Sequence, residues 1–459
     1  MRLHNTLTRQ VEDLVPRRPG ALSLYVCGPT VQGAPHFGHA LAAIVPDVLR
    51  RWLEHRGYDV FLVRNVTDVD DKIITQAQQE GVFAAEVAER CGRLFDEVFT
   101  RLRLLPPRVE PRATGHVDPM IDLIEQLERV GSAYATGGDV WFRVRSFPEY
   151  GKLSGRDLDE LRSGVRVEAD ERKEDPLDFA LWKAAKPGEP SWRSPWGRGR
   201  PGWHIECSAM SAAYLGTGFD VHAGGADLIF PHHENEIAQS EAATGEPFAR
   251  HWLHNGHLTM GGEKMSKSLG NVVSLTEALD THGPDAVRFF FLSAHYRSPM
   301  ELSDERLDEA HAGLERLRAF HRATAALTAE PAESSEVRAH REDFAAAMDD
   351  DLATPRAHAA LFALVRAGHA AREAGDDGVA VAARDAVTEL AGVLGYDITA
   401  EEGGASGALV GGLVELLLAL RAEARSARDF ATADRIRDRL AELGVTVEDH
   451  PDGARWHLR

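Results

Sequence analysis

A short apolar, β-prone run, Leu22-Ser23-Leu24-Tyr25-Val26-Cys27, closed by Gly28-Pro29, constrains this chain more than any other feature. Such a run reads as a buried strand. Over residues 38–55 apolar side chains recur at helical spacing (Leu41, Ile44, Val45, Val48, Leu49, Trp52, Leu53), with Gly57 as a stop and Pro46 as an expected kink. Asp59-Val60-Phe61-Leu62-Val63-Arg64 then reads as a second strand. Strand, helix and strand in succession make a βαβ unit, which implies a parallel sheet with helices on its faces. Ligands on such sheets sit beyond the carboxyl ends of the strands, so Cys27 and residues 28–39 mark the expected site.

At 459 residues the chain is too long for one such domain and suggests about three, at ~150 residues each. Residues 106–200 change character, with Gly-Gly-Asp, Ser-Phe-Pro-Glu-Tyr and a Pro, Gly, Trp and Arg-rich stretch, and read as an insertion. The α/β pattern then resumes with Phe219-Asp220-Val221-His222-Ala223 as a strand, a helix over 232–243 and a further strand within 248–258. The expected fold is therefore α/β, a Rossmann-like parallel sheet domain made of residues 1–105 and 201–293 with residues 106–200 inserted. Residues 294–400 follow as a helix bundle with one break near 329–335. A glycine-rich linker, Glu402-Gly403-Gly404-Ala405-Ser406-Gly407, leads to a small α+β module over 408–459, two helices and a hairpin turned at Pro451-Asp452-Gly453.

Composition narrows the class. With 43% hydrophobic and 27% charged residues the chain is neither disordered nor collagenous. Its longest apolar stretch, 407–420, is broken by Glu415 and falls short of the ~20 residues that cross a bilayer. No secretory h-region follows Met1, so a cytoplasmic protein without membrane contact is expected. Three cysteines (Cys27, Cys91, Cys207) are too few for a disulfide framework, so each is a buried thiol, a metal ligand or a nucleophile. A net charge of −20 excludes a general nucleic-acid coat and leaves room only for a local basic surface. Lysine is scarce, at seven residues, which makes Lys264 and Lys267, three apart, conspicuous.

Two segments carry phosphate chemistry. Pro35-His36-Phe37-Gly38-His39 opens the first helix, where exposed amides attract phosphate, glycine permits close approach and imidazoles can donate to phosphoryl oxygens. Far downstream, Gly261-Gly262-Glu263-Lys264-Met265-Ser266-Lys267-Ser268-Leu269-Gly270-Asn271 is a glycine-flanked loop able to bring two ammonium groups onto a triphosphate. Metal arithmetic adds a third constellation. His232 and Glu236 are four apart on the expected helix, with Pro231 in its first turn, and share a face. With Cys27 and Cys207 they make a tetrahedral set, although His204 with Cys207, or His233, are rival ligands.

His36-Phe37-Gly38-His39 and Lys264-Met265-Ser266-Lys267-Ser268, in that order on two halves of one sheet, resemble the two signature motifs of class I aminoacyl-tRNA synthetases. Phe37 stands where the best-known version has Ile. Tyr25-Val26-Cys27-Gly28-Pro29-Thr30, Asn65-Val66-Thr67-Asp68-Val69-Asp70-Asp71-Lys72, Gly202-Trp203-His204-Ile205-Glu206-Cys207-Ser208 and Pro231-His232-His233-Glu234-Asn235-Glu236 are similar to the cysteinyl-tRNA synthetase family. The segment Thr30-Val31-Gln32-Gly33-Ala34-Pro35 is less aromatic than that family's pattern.

The resemblance implies a ligase that activates L-cysteine with ATP to cysteinyl-adenylate and passes it to tRNA(Cys). It implies one zinc per chain on Cys27, Cys207, His232 and Glu236, and leaves Cys91 as a core residue. Zinc makes chemical sense there: an apolar pocket separates sulfur from oxygen by only ~10²-fold, whereas a borderline-soft metal can take the thiolate as a ligand. Thr67, Trp203, His222 and Asp227 match positions of the cysteine pocket. His36, His39, Lys264 and Lys267 match the catalytic phosphate contacts, and Gly38, Met265, Ser266 and Ser268 complete the ATP-binding segments, with Mg2+ accompanying ATP. The insertion is implied to meet the acceptor end, helped by the Arg-rich loop Trp192-Arg193-Ser194-Pro195-Trp196-Gly197-Arg198-Gly199-Arg200, and residues 302–459 the anticodon. A monomer is expected. The rival is a ligase that passes cysteine to a small amino-sugar, and it needs no anticodon module.

Overall fold

The computed structural model describes residues 1–158, 171–260, 263–264, 274–332, 334–400, 403–427, 429–450 and 453–458. Two compact units are present, Met1–Thr399 and Ala400–Arg459.

The first unit begins with a two-stranded antiparallel hairpin, β1 (Arg2–Asn5) and β2 (Gln10–Asp13). β3 (Ala21–Val26), α1 (Phe37–His55) and β4 (Asp59–Arg64) form the expected βαβ unit, β3 and β4 pairing in parallel from Ala21 against Asp59 to Val26 against Arg64. α1 runs on through Pro46, its buried side carrying Leu41, Ile44, Val45, Val48, Leu49, Trp52 and Leu53 as the periodicity predicts. After α2 (Asp71–Glu80), α3 (Ala84–Arg101) and α4 (Val117–Arg129) the chain enters a separate antiparallel sheet. Its strands β5 (Ala133–Thr136), β6 (Asp139–Phe142), β7 (Phe179–Ala184), β8 (Trp192–Ser194) and β9 (Gly197–Pro201) lie in the order β5-β6-β7-β9-β8. The Arg-rich segment is therefore a hairpin rather than a loop, because Arg193 pairs with Arg198 across β8 and β9.

α5 (Trp203–Leu215) returns the chain to the parallel sheet, followed by β10 (Phe219–Gly225), α6 (Glu234–Thr244) and β11 (Ala249–Asn255). The sheet order is β11-β10-β3-β4, all parallel. Strand order reverses between β3 and β10, which is where ligands bind in sheets of this kind. The expected helix over 232–243 starts two residues later: Ile229–His233 is a separate turn in which Phe230 has extended backbone angles, so His232 and His233 precede α6.

β12 (Leu258–Met260), β13 (Glu263–Lys264) and β14 (Met300–Glu301) make a small third sheet, with α7 (Leu275–His282) and α8 (Pro284–Leu292) between its strands. The helical region comprises α9 (Asp304–Thr324), α10 (Ser335–Asp349), α11 (Thr354–Glu373) and α12 (Asp377–Val393). It has breaks at 350–353 and 374–376 beyond the expected one, which the apolar spacing does not mark because each turn is so short. In the second unit α13 (Gly403–Ser426) begins inside the supposed linker: helical backbone takes in Gly403 to Gly407 despite their poor propensity. α14 (Phe430–Glu442) and the hairpin β15 (Val445–His450) with β16 (Gly453–Leu458) complete it around Val414, Leu418, Leu440 and Val445.

A buried ion pair inside the sheet domain also holds the helical region, through Leu394. Arg288 on α8 is wholly buried; its guanidinium pairs with Asp47 of α1 and donates to Leu394 O at 2.6 Å and Leu102 O at 3.1 Å. Asp47 also accepts from Arg51 Nε and Leu105 N, each at 2.8 Å. The chain passes Arg288 at Gly395, whose φ of +83° and whose missing Cβ, which would lie 2.3 Å from Arg288 Nε, leave no room for another residue. Burial opposes ionisation of Asp47, but Arg288 and Arg51 outweigh it and hold the carboxyl below its ordinary range. Asp47 therefore contributes stability that is complete above the ordinary carboxylate range and is lost as pH falls through its lowered folded value. Asp47→Asn, which strands a buried guanidinium, is expected to cost about 3–5 kcal/mol in urea unfolding and to flatten the acid limb of the stability profile.

Candidate active site and metal centre

A cavity of about 400 Å³ opens beyond the carboxyl ends of β3 and β10. Cys27 N bonds Ala223 O at 3.1 Å, so the two strands deliver Cys27 and the Gly224-Gly225 end of β10 to the same edge. Gly28 must be glycine here, because a Cβ would lie 1.5 Å from Asn65 O; its amide donates to Asn65 Oδ1 at 2.9 Å. Among the implied site residues, Cys27, His36, Gly38, His39, Thr67, Trp203, Cys207, Asp227 and His232 line the cavity. Lys264 lies in β13, and Met265, Ser266, Lys267 and Ser268 fall outside the described residues.

The two signature histidines close the start of α1. His36 is its N-cap and accepts from Gly38 N at 3.1 Å through Nδ1, while His39 Nδ1 accepts from His36 N at 3.2 Å. Their rings stack with centroids 3.7 Å apart. With Nδ1 accepting in both, each neutral ring carries its proton on Nε2, a donor suited to a phosphoryl oxygen.

Cys27, Cys207, His232 and Glu236 converge at the same cavity, one ligand atom from each lying within 4.8 Å of all the others. Cys27 Sγ is 3.6 Å from Cys207 Sγ and 3.5 Å from Glu236 Oε1, and His232 Nε2 is 3.0 Å from Glu236 Oε1. Zinc bonded to two thiolates at ~2.3 Å in a tetrahedron spaces the sulfurs by ~3.8 Å, so the donor set fits that ion. The charges are arranged for a cation as well. A hydrogen bond from Cys27 draws the Cys207 thiol down to about 6 against the opposing effect of burial. Burial, then Cys207 and Glu236, push the Cys27 thiol well up. His232 is raised to about 10, burial being outweighed by Glu236 and Cys207, and Glu236 is held well below its ordinary range by His222 and His232 in spite of burial. The proton affinities of all four donors are thus displaced by their mutual contacts, and a dication binding there would compete with their protons.

The rival ligands are placed too. His204 faces the other nitrogen of His232, Nδ1 to Nδ1 at 2.9 Å, and Gln239 donates to His204 O at 3.0 Å. His233 Nε2 lies 3.3 Å from Cys27 Sγ, and Cys27, His222, His233 and Glu236 form a second overlapping set. His222 and His233 are wholly buried and absent from the cavity wall, whereas Cys27, Cys207 and His232 are on it. The first set therefore presents three of its four donors to the cavity and the second set only Cys27. His222 itself sits behind Glu236, Nε2 to Oε2 at 2.9 Å, and stacks on Trp252 at 4.5 Å. Trp203 stacks on His232 at 4.2 Å. Cys91 is buried on α3 among core residues, as expected.

Sequence reasoning missed three residues that hold the site. Asn65 bridges Gly28 and Thr67, donating to Thr67 Oγ1 at 3.3 Å. His254 links His233, at 2.7 Å, to Thr6 Oγ1, at 2.8 Å. Glu206 is a carboxyl pushed well up by burial and by Cys207. Asn65 and Glu206 stand inside segments already singled out, but His254 lies on a strand that carried no signal. In the Arg-rich hairpin, Arg200 is buried and pairs with Asp71 and, at 3.2 Å, with Glu189, which gives it a structural role.

Residues 13–312 match the family described as tRNA synthetases class I (C) catalytic domain, 343–398 the DALR domain, and 412–456 the cysteinyl-tRNA ligase anticodon binding domain. A cysteine–tRNA ligase of Alkalilimnicola ehrlichii is 51% identical over 99% of both chains, and one of Heliobacterium modesticaldum 48% identical over 99% of both. Among solved structures, Mycobacterium tuberculosis methionyl-tRNA synthetase in complex with methionyl-adenylate superposes with a TM-score of 0.60 at 17% identity, over 82% of this chain and 90% of that one. The match at 412–456 weighs against the small-acceptor rival.

The cluster makes a spectroscopic prediction. After chelation, about one Co2+ per chain should bind with thiolate-to-cobalt charge-transfer absorption, roughly halved in Cys207→Ala and unchanged in Cys91→Ala. Equal absorption in Cys207→Ala would exclude that thiol as a ligand.

Proposed function

The chain belongs to the cysteine–tRNA ligase family of class I aminoacyl-tRNA synthetases, and on that premise we propose how its residues divide the reaction. A ligase of this family acts on cysteine, ATP and tRNA. The cysteine carboxylate attacks the α-phosphorus of ATP and pyrophosphate leaves; the terminal ribose hydroxyl of tRNA then attacks the acyl carbon and AMP leaves. No covalent bond to the protein is needed, so positioning and charge stabilisation carry the catalysis.

His36 and His39 hold the phosphates that develop charge, with Gly38 permitting close approach at the start of α1. Lys264 and Lys267, with Met265, Ser266 and Ser268, close on the triphosphate, which carries Mg2+. Thr67, Trp203 and Asp227 enclose the amino acid, Asp227 taking its ammonium group, and His222 supports the pocket by fixing Glu236. Cys27, Cys207, His232 and Glu236 would hold zinc. A zinc ion bound there supplies a soft acceptor for the substrate thiolate that a serine hydroxyl cannot match. The insertion meets the acceptor end of tRNA(Cys), residues 302–459 read its anticodon, and the chain works as a monomer. The observation that carries this reading is the meeting of two thiols and an imidazole on the wall of the cavity lined by His36 and His39, with the Glu236 carboxylate buried just behind them.

The direct test is acylation of total tRNA with labelled cysteine, ATP and Mg2+, scored as base-labile label on tRNA. Cysteine-dependent ATP use with no labelled tRNA would overturn it. Lys267→Ala is expected to slow cysteine-dependent pyrophosphate exchange by about 10²-fold with an unchanged melting temperature, the scale of one lost charge-stabilising donor. His39→Ala is expected to slow exchange by a similar factor and to lower the melting temperature as well, because it also removes the acceptor for His36 N at the start of α1. Cys207→Ala is expected to release about one zinc per chain and to narrow the preference for cysteine over serine, measured by exchange with each amino acid.

A further inference from the structure

Two lysine or arginine side chains line the cavity among the described residues, Arg64 and Lys72. Arg64 is already committed: it pairs with Glu110 at 2.8 Å and its guanidinium lies 4.6 Å from the centre of the Phe99 ring. Lys72 is not. It is exposed in the first turn of α2, and its ammonium has no hydrogen-bond or ion-pair partner among the described residues.

That lack of a partner is arranged rather than accidental, because three aspartates closely precede Lys72 in sequence and each is engaged elsewhere. Asp68 accepts from Thr114 N at 2.9 Å and Thr114 Oγ1 at 2.6 Å. Asp70 caps α2, accepting from the backbone amide of Lys72 at 2.9 Å. Asp71 is held by Lys183 at 2.5 Å and by buried Arg200, both on the inserted sheet. These bonds anchor the start of α2 between the cavity and the insertion. They also leave one lysine's positive charge on a wall otherwise suited to phosphate.

We propose that Lys72 is a further phosphate-binding residue of the site, taking an oxyanion of the ATP triphosphate or of the terminal phosphodiester of the acceptor strand. The proposal rests on the cavity being the ligase site. A compact ammonium on a flexible stem suits a point contact to phosphate, and its place beside Asp71 puts it where nucleotide and acceptor end both have to arrive.

The test uses full-length Lys72→Ala and Lys72→Arg beside the wild type. Cysteine-dependent pyrophosphate exchange is followed against ATP concentration without tRNA, and transfer to tRNA from preformed adenylate is followed in a single turnover. If the ligand is the triphosphate, Lys72→Ala raises KM for ATP by about tenfold. If it is the acceptor strand, exchange is unchanged and the transfer step falls by about tenfold. In either case Lys72→Arg restores most of the loss and melting temperatures coincide, since Lys72 makes no contact that folding needs. Wild-type exchange and transfer rates in Lys72→Ala overturn the proposal alone, and so does a loss that Lys72→Arg fails to repair. A wild-type chain with no cysteine-dependent exchange overturns the ligase reading and this proposal with it.

Discussion

The parallel pairing of β3 with β10 is the contact on which the rest depends. It joins Leu24, Tyr25 and Val26 to Val221, His222 and Ala223, nearly two hundred residues later in the chain. Because strand order reverses at that seam, the loops after β3 and β10 diverge to opposite sides and leave a crevice between them. Cys27 comes from one side of the seam, Cys207, His232 and Glu236 from the other. Everything between the strands, the inserted antiparallel sheet included, is a detour that has to return in register, and Gly202 at the start of α5 makes that return tight: its missing Cβ would lie 2.0 Å from Ala180 O.

Behind the crevice the protein keeps an unusual density of ionisable groups out of water. Two thiols, a carboxylate and several imidazoles are mutually bonded, and their proton affinities are pulled in opposite directions: Cys207 and Glu236 downward, His232 upward, His233 well below its ordinary value through burial and the neighbouring His222. A buried cluster of this kind is costly unless its charges are compensated. Ligand geometry and charge compensation thus both favour a dication, which offsets most of the charge of two thiolates and a carboxylate. The Asp47 and Arg288 pair solves a similar problem with a permanent cation, which suits a joint that has only to hold.

The sheet was legible because period-two and period-3.6 patterns are strong in buried elements. β4 begins and ends where its apolar run does, and α1 where its stripe does. The turn before α6 was not legible, since a four-residue spacing looks the same whether His232 lies in the helix or just ahead of it; side-chain reach brings it to Glu236 either way. The glycines at the start of α13 misled for the opposite reason, propensity there being overruled by the helix they join. Most residues of the four-donor cluster and of the cavity wall that the sequence singled out lie in recognisable motifs. The tier behind them could not, because Asn65, His254 and Gln239 act through contacts that only the folded sheet creates.

The two histidines at the head of α1 have a consequence for what this position can become. Each ring uses Nδ1 to accept from the helix's own amides, so that its donor edge is Nε2. Lysine or arginine could meet a phosphate as well or better, but neither has a lone pair with which to accept from Gly38 or His36 N. Asparagine or serine would cap the helix and bring no second donor set at that distance. Imidazole is the one common side chain with an acceptor and a donor on opposite edges of a single rigid ring. Chemistry and architecture therefore share one part here, and drift toward a stronger anion binder would unravel the turn that presents it.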